Sequence, residues 1–181
     1  MLILCVALIA ASLLFEGAPS FAAEYKGTVT RVIDGDSIEV SDGNRAVIVR
    51  LHGVDAPEIS QPYGRIAMVA VFRHAFGKIV RIHSYGVDAH GRTIANVYLP
   101  DNTLLNEEML KLGLAWWYCK DSSDEALRQL EREARDAKLG LWKDADASPP
   151  WVFRQRYGPE IERFDGHCRP TTRLSQNDAP E

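Results

Sequence analysis

Residues 45–58 read RAVIVRLHGVDAPE, an apolar run with an arginine near its end that leads into a turn containing two carboxylates. The β-branched residues of this run predict a strand over residues 45–51. Turn-forming residues separate it from four more short runs, which lie at residues 27–33, 37–40, 79–84 and 93–99. Five short strands at this spacing predict a small barrel.

Three stretches of helical periodicity accompany the strands. Residues 64–76 carry apolar side chains at helical spacing, and residues 105–112 form a second stretch that stops before Gly113. A third helix is predicted after the capping box Ser122-x-x-Glu125. Its apolar residues recur three and four positions apart, at Leu127, Leu130, Ala134, Ala137 and Leu141. The sequence therefore predicts an α+β fold with a mainly β core, in which a five-stranded barrel carries three α-helices.

The two ends of the chain differ from its centre. An apolar run over residues 2–15, followed by the small residues of Ser20-Phe21-Ala22, predicts a signal peptide over residues 1–22. Because no Lys or Arg precedes the run, an uncleaved membrane anchor is the alternative. We predict one domain over residues 24–153 and a C-terminal extension over residues 154–181, with the last ten or so residues disordered. The expected location is secreted or periplasmic.

Charge and cysteine content limit the partners that the chain can bind. It has 21 basic and 25 acidic residues, and loss of Glu16 with the signal would leave 21 minus 24, a net charge of −3. This balance excludes a polyanion held by a long-range positive field, so such a ligand would need local arginines or a bound cation. Cys119 and Cys168 would remain, which predicts a Cys119–Cys168 disulfide, with two free thiols as the alternative.

Four carboxylates lie in two turns at the ends of predicted strands. They are Asp34, Asp36, Asp55 and Glu58. If the turns meet, the like charges repel unless a hard cation lies among the oxygens, and calcium is the natural candidate. Pro57 stiffens the second turn and biases Ala56 toward an extended conformation that would aim its carbonyl. We therefore predict Asp36, Asp55 and the Ala56 carbonyl as ligands of Ca²⁺.

Two arginines complete a predicted phosphate site. Arg50 lies on a strand face whose neighbours are apolar, so it needs an anionic partner, and Arg92 lies in the turn before the last strand. Two guanidinium groups that converge on a phosphoryl group would neutralise its oxygens as charge builds. Glu58, next to the rigid Pro57, is the predicted general base for an attacking water. Each feature alone is weak evidence for a catalytic site, because such turns and arginines are commonly structural. Their joint occurrence is a specific signal.

Six motifs follow one another along the chain: VIDGDS at residues 32–37, VRLHGVDAPE at 49–58, HGR at 90–92, LGLA at 112–115, KLGLW at 138–142 and PPW at 149–151. Together they resemble the thermonuclease (staphylococcal nuclease) family in its secreted bacterial type, over about residues 25–153. The resemblance implies an OB-fold, a five-stranded Greek-key barrel with three helices. It also implies a Ca²⁺-dependent nuclease that cleaves DNA and RNA and leaves 3′-phosphate ends.

The same resemblance assigns roles that agree with the chemistry of the residues. It implies Asp36, Asp55 and Ala56 as metal ligands, with Arg50 and Arg92 as phosphate binders and Glu58 as the general base. His90 stands where a tyrosine of the family can contact the nucleotide, so His90 is predicted to bind substrate. A monomer with nucleic acid as its substrate is expected.

Other groups of residues give weaker signals of function. The aromatic run of residues 116–118 is predicted to pack at the core and rim, with one of its three side chains exposed, rather than to stack bases. The five histidines lack the close pairing of a zinc site. The alternative function is a catalytically silent module that binds nucleic acid or protein on the same fold.

Overall fold

The computed structural model describes residues 24–157. Within them, five strands form a closed barrel, two short strands form a second sheet, and helices pack around both. The strands are β1 (Glu24–Val32), β2 (Ser37–Ser41), β3 (Ala46–Leu51), β4 (Val54–Asp55), β5 (Ile79–Val87), β6 (Thr93–Tyr98) and β7 (Trp116–Trp117). The helices are α1 (Gly64–Ala75), α2 (Leu105–Lys111), α3 (Glu125–Asp136), the 3-10 helix Gly140–Lys143 and α4 (Pro150–Tyr157).

The barrel closes in the order β1-β2-β3-β6-β5. Its strand pairs are antiparallel except for β3 and β6, which run parallel and place Arg50 beside Ile94. Side chains that alternate along the strands fill the interior, where Ile38, Val49 and Ile82 are fully buried. The predicted five-stranded barrel and mainly β core are therefore confirmed.

Helix α1 starts close to the loop that carries Glu58. The backbone N–H of Gly64 donates to the Gln61 carbonyl, and a Cβ at Gly64 would overlap the Glu58 carbonyl. Only glycine therefore lets the helix begin against this loop. Helices α1 and α2 lie where the sequence predicted them, each ending one residue earlier.

Helix α3 differs from its prediction at both ends. Its cap is Asp124, whose Oδ1 accepts a hydrogen bond from Ala126 N at 2.8 Å, while the hydroxyl of Ser122 accepts from Asp124 N instead. The predicted Ser122 capping box is therefore wrong, because the serine oxygen accepts from Asp124 N before the helix begins, and Asp124 is the cap. The helix ends at Asp136, since Lys138 adopts a left-handed φ of 51°, and Leu141 belongs to the following 3-10 helix.

A fourth α-helix was not predicted. Helix α4 starts at Pro150, where proline costs no helical hydrogen bond, and it continues through residue 153, where the predicted domain ended. It is only eight residues long and follows a proline-rich stretch, so its periodicity in the sequence is weak. Trp151 anchors it, because this side chain is buried against Trp116, Tyr118 and Leu141.

The aromatic run at residues 116–118 lies entirely in the interior. Trp117 packs in the main core, while Trp116 and Tyr118 belong to the smaller cluster around Trp151. The expectation that one of the three is exposed is therefore wrong, because α4 covers the side of the run that the predicted helices would have left open.

Several predictions concern residues outside 24–157. These are the signal peptide or anchor, the disordered end of the C-terminal extension, and Cys168, so the Cys119–Cys168 disulfide stays a prediction. In the part of the chain that the structure describes, no helix has the length and apolar character needed to cross a membrane.

Candidate active site

The two carboxylate turns meet at one end of the barrel. The first is the β1–β2 turn, and a Cβ at its Gly35 would lie 2.6 Å from the Cβ of Ala56 in the second turn. Glycine at this position therefore allows the two turns to touch. A hydrogen bond of 2.7 Å from Ala56 N to Asp36 Oδ2 fixes their contact, and the pairing of β4 with β7 holds Asp55 opposite Trp116.

Arg50 lies between the two buried aspartates. Its Nη1 is 2.6 Å from Asp36 Oδ1 and its Nη2 is 2.9 Å from Asp55 Oδ1. The second contact is a hydrogen bond, whereas Nη1 is buried and makes no hydrogen bond with any residue in the described range, so its contact with Asp36 is an ion pair only. Arg50 therefore shares its positive charge between two buried carboxylates.

The environment shifts the pKa values of these groups in different directions. Burial, followed by repulsion from Asp36, raises the pKa of Asp34 from 3.8 to about 7. Burial also raises the pKa of Asp55 to about 6, although Arg50 opposes the shift. Burial acts in the same sense on Asp36, but attraction to Arg50 and the hydrogen bond from Ala56 N outweigh it and lower the pKa of Asp36. Burial is thus the main cause of the raised pKa values, and the charge of Arg50 is the main cause of the lowered one.

Arg92 is held by the turn between β5 and β6. Its Nε donates to Asp88 Oδ2 at 2.7 Å, while Asp88 Oδ1 accepts hydrogen bonds of 2.9 Å from the backbone N–H groups of both His90 and Arg92. A single aspartate therefore organises the turn and orients the guanidinium. Asp88 contacts the guanidinium through Nε alone, so it does not occupy the two terminal nitrogens of Arg92.

Arg154 of helix α4 contacts two of the site carboxylates, Asp55 and Glu58. Its Nη2 is 2.8 Å from Asp55 Oδ2, and its Nη1 is 2.8 Å from Glu58 Oε1 and 3.3 Å from Asp55 Oδ1. The side chain of Asp55 is 2% exposed, so both of its oxygens contact guanidinium groups in the interior. Although burial opposes it, pairing with Asp55 and Glu58 raises the pKa of Arg154, so this arginine is a permanent cation of the site.

All of these groups line one open cavity of about 730 Å³. All seven residues singled out from the sequence line it: Asp36, Arg50, Asp55, Ala56, Glu58, His90 and Arg92. His90 is exposed at the cavity, whereas Asp36, Arg50 and Asp55 are buried. The cavity also includes residues that were not assigned to a site: Asp88, Tyr118, Lys120, Asp121 and Arg154.

Comparison with known proteins identifies the family. Residues 48–144, more than half of the chain, match the family described as "Staphylococcal nuclease homologue". An "uncharacterized endonuclease" of Escherichia coli O157:H7 is 43% identical over 138 residues, which cover 76% of this chain and 90% of that protein. A "micrococcal nuclease" of Shigella flexneri is 35% identical over 159 residues, which cover 82% and 91%.

The chain belongs to the staphylococcal nuclease family. This membership confirms the predicted family, and with it the OB-fold assignment of the five-stranded barrel. Six of the seven predicted site residues lie inside the matched range, while Asp36 and Arg154 lie outside it.

The donor atoms of this family member suit a hard cation. Asp36, Asp55 and the Ala56 carbonyl offer oxygen alone, which is the ligand type that Ca²⁺ prefers. Asp36 and Asp55 are already adjacent through Arg50. Among residues 24–157 there is no cluster of three or more His, Cys, Asp or Glu side chains arranged to hold a metal. Backbone oxygen and water would therefore have to supply much of a coordination shell.

Sequence reasoning missed two contributors to the cavity. Arg154 was placed in the C-terminal extension, and the available signal was its position one turn after Trp151 in a segment that begins with two prolines. Asp88 has no role in the sequence analysis, although an aspartate four residues before Arg92 can both cap the turn and pair with the arginine. Neither signal is strong without knowledge of the tertiary contacts.

Proposed function

We propose that this protein is a Ca²⁺-dependent nuclease that hydrolyses phosphodiester bonds of DNA, RNA or both and leaves 3′-phosphate products. Its general activity, hydrolysis of nucleic acid by a nuclease, rests on family membership and on the nuclease names of the two relatives. The observation that carries the calcium-dependent mechanism is that Arg50 and Arg92 line one cavity together with Asp36, Asp55 and Glu58.

Two arginines bind the scissile phosphate in this proposal. Arg50 supplies donors from the floor of the cavity, next to Ile94 of the neighbouring strand. Arg92 supplies donors from the β5–β6 turn, where Asp88 fixes its Nε. Together they stabilise the negative charge that develops on the phosphoryl oxygens in the transition state.

Glu58 acts as the general base. Its carboxylate lines the cavity, and its side chain is 37% exposed, so a water molecule can reach it. Glu58 removes a proton from the attacking water as the water oxygen bonds to phosphorus. The bond from phosphorus to the 5′ oxygen breaks, and that oxygen takes a proton from solvent and leaves as a hydroxyl. The cleavage leaves the phosphate on the 3′ side, as the family resemblance implies.

Asp36, Asp55 and the Ala56 carbonyl would hold Ca²⁺. When bound, the cation supplies positive charge that offsets the carboxylates and the substrate phosphate. The raised pKa values of Asp34 and Asp55 support this assignment, because burial makes these carboxylates costly to ionise and a bound cation would offset that cost. His90, exposed on the turn beside Arg92, contacts the nucleotide of the substrate.

The location of the enzyme is part of the proposal. The signal peptide of residues 1–22 directs a monomeric enzyme to the periplasm or the medium, where the Cys119–Cys168 disulfide forms. Mass spectrometry of the exported protein tests both points, since it gives the mature N-terminus and the number of free thiols. A membrane-bound protein that retains residue 1 would instead indicate the anchor.

Cleavage assays with purified protein test the function. Single-stranded DNA, double-stranded DNA and RNA are incubated with Ca²⁺ or with excess chelator, and the product ends are identified by their sensitivity to phosphatase and polymerase. Calcium-dependent cleavage with 3′-phosphate ends is expected. Binding without cleavage by folded protein would favour the silent binding module, and cleavage in chelator would contradict the metal requirement.

A further inference from the structure

We infer that Arg154 is a positioning residue of the active site, through which helix α4 holds the Glu58 carboxylate beside Asp55. The inference rests on the proposed function, and it adds a residue that lies ten positions beyond the family match, which ends at residue 144. It makes the segment after the barrel part of the catalytic structure instead of an extension.

The contact geometry joins two groups that would otherwise repel each other. Nη1 of Arg154 lies 2.8 Å from Glu58 Oε1, and its Nη2 lies 2.8 Å from Asp55 Oδ2. Two carboxylates at such short range favour separation unless a cation lies between them. The planar guanidinium presents parallel donors in a fixed fork, so it fixes both the spacing and the orientation of the two acids.

Glu58 needs this support because its own segment is irregular. Residues 56–63 form no helix or strand, and the Glu58 side chain is 37% exposed. Its backbone N–H is held by Gln61 Oε1 at 3.2 Å, but that contact does not orient the carboxylate. A general base must be held within a fraction of an ångström of its productive position, which a half-exposed loop side chain does not achieve alone.

Helix α4 is itself fixed to both the β7 segment and the Glu58 loop. Trp151, only 7% exposed, packs against Trp116 and Tyr118 with ring centroids 5.8 and 5.9 Å away. The amide of Gln61 donates to the Ser148 carbonyl, two residues before the helix. The loop and the helix are therefore joined twice, through Gln61 with Ser148 and through Glu58 with Arg154. This double attachment distinguishes Arg154 from a solvent-exposed arginine on a frayed terminal helix.

The Arg154 contact with Asp55 has a second consequence. Asp55 is a proposed metal ligand, and its Oδ2 is in contact with a permanent cation. Removing that cation should favour any other cation at the same carboxylate. Loss of Arg154 is therefore expected to weaken catalysis and to strengthen Ca²⁺ binding, two effects of opposite sign that a damaged fold would not produce together.

Three variants in the full mature chain test the inference: Arg154→Gln, Arg154→Lys and the control Arg156→Gln, whose arginine is exposed on the same helix. Steady-state cleavage of a single-stranded DNA oligonucleotide gives kcat and KM, and titration calorimetry without substrate gives Ca²⁺ affinity. For R154Q we expect kcat to fall about tenfold or more with little change in KM. Lysine should restore part of kcat, and Ca²⁺ should bind R154Q about three- to tenfold more tightly. R156Q should match the wild type.

The outcomes separate the inference from the proposed function. A wild type that does not cleave contradicts the proposed function itself. An active wild type with R154Q of equal kcat overturns the positioning role alone. Equal losses in R154Q and R154K, accompanied by weaker Ca²⁺ binding, also overturn it, because they indicate a general defect. If R154Q does not fold, the kinetics of R154K test the positioning role instead. A lowered kcat at unchanged KM supports that role, and an unchanged kcat overturns it.

Discussion

Arg50 Nη1 lies 2.6 Å from Asp36 Oδ1, and each of these side chains is only 8% exposed. The proposed phosphate-binding arginine and the proposed metal ligand therefore form one buried unit with Asp55. Buried ion pairs of this kind add little net stability as pairs, but the removal of one partner leaves an uncompensated charge in the interior. The active site and the fold consequently depend on the same contacts.

Replacement of Arg50 by methionine should destabilise the protein by about 3 kcal/mol, because Asp36 would lose its buried cation. Urea unfolding at pH 8 in the presence of chelator measures the loss. Arg45→Met is the matched control, since Arg45 is exposed just before the same strand and pairs only at the surface with Asp42. An R50M protein no less stable than R45M would contradict the structural role of the pair.

Glu58→Gln should lower kcat by about a hundredfold or more while the unfolding midpoint changes little, because glutamine keeps the size of the side chain but cannot accept the proton from water. Glu39→Gln serves as the control, as Glu39 is also paired with an arginine, Arg31, at a site outside the cavity. Rates measured at saturating substrate and Ca²⁺ decide the point. A kcat within a few-fold of wild type would exclude Glu58 as the base.

Asp88→Asn should reduce kcat/KM about tenfold, because an amide cannot accept at once from Arg92 Nε and from two backbone N–H groups. Asp42→Asn is a close control: Asp42 accepts from the backbone of Asn44 and Arg45 in a comparable turn, and it does not line the active-site cavity. If the two variants are equally active, Arg92 does not require Asp88 for its orientation.

Arg92→Lys should depress turnover strongly with the fold intact, because an ammonium group cannot reproduce the donor geometry of the guanidinium fork. The change is expected mainly in kcat, since the proposed contact strengthens in the transition state. Arg31→Lys, a replacement in a surface ion pair, provides the baseline. Full activity of R92K would remove Arg92 from the mechanism.

Asp34 is expected to make the stability of the protein depend on pH. Burial and the charge of Asp36 raise its pKa from 3.8 to about 7, so the folded state binds a proton more tightly than the unfolded state. The contribution of Asp34 to the free energy of unfolding is complete below about pH 4, falls as the pH rises, and is lost near pH 7.

Asp34→Asn removes that dependence and keeps the oxygen that accepts from Asp36 N. In chelator at pH 8 the variant should be more stable than wild type by about 1 to 3 kcal/mol, and the difference should disappear near pH 4. Unfolding by urea at both pH values measures it. A variant that is less stable at pH 8, or a difference independent of pH, would contradict the assigned shift.

The sequence alone determined the barrel and most of the site. The strand patterns and their turns are local properties, since a period of two and turn residues act over a few positions. The site residues were found because the motifs around Asp36, Arg50, Glu58 and Arg92 combine chemically, and the structure places all of them in one cavity. Their catalytic roles stay predictions that the experiments above address.

Only the tertiary structure decided how α4 enters the site. Arg154 contacts Glu58 and Asp55, which precede it by 96 and 99 residues, and nothing in an eight-residue helix after a proline-rich stretch indicates such partners. Likewise, the burial of the whole aromatic run depends on Trp151 packing against it. Local patterns encode which elements form, because their energetics are short-range. Contacts between charged side chains such as Arg154 and Glu58 depend on packing between distant elements. The spacing of residues along the chain does not contain that information.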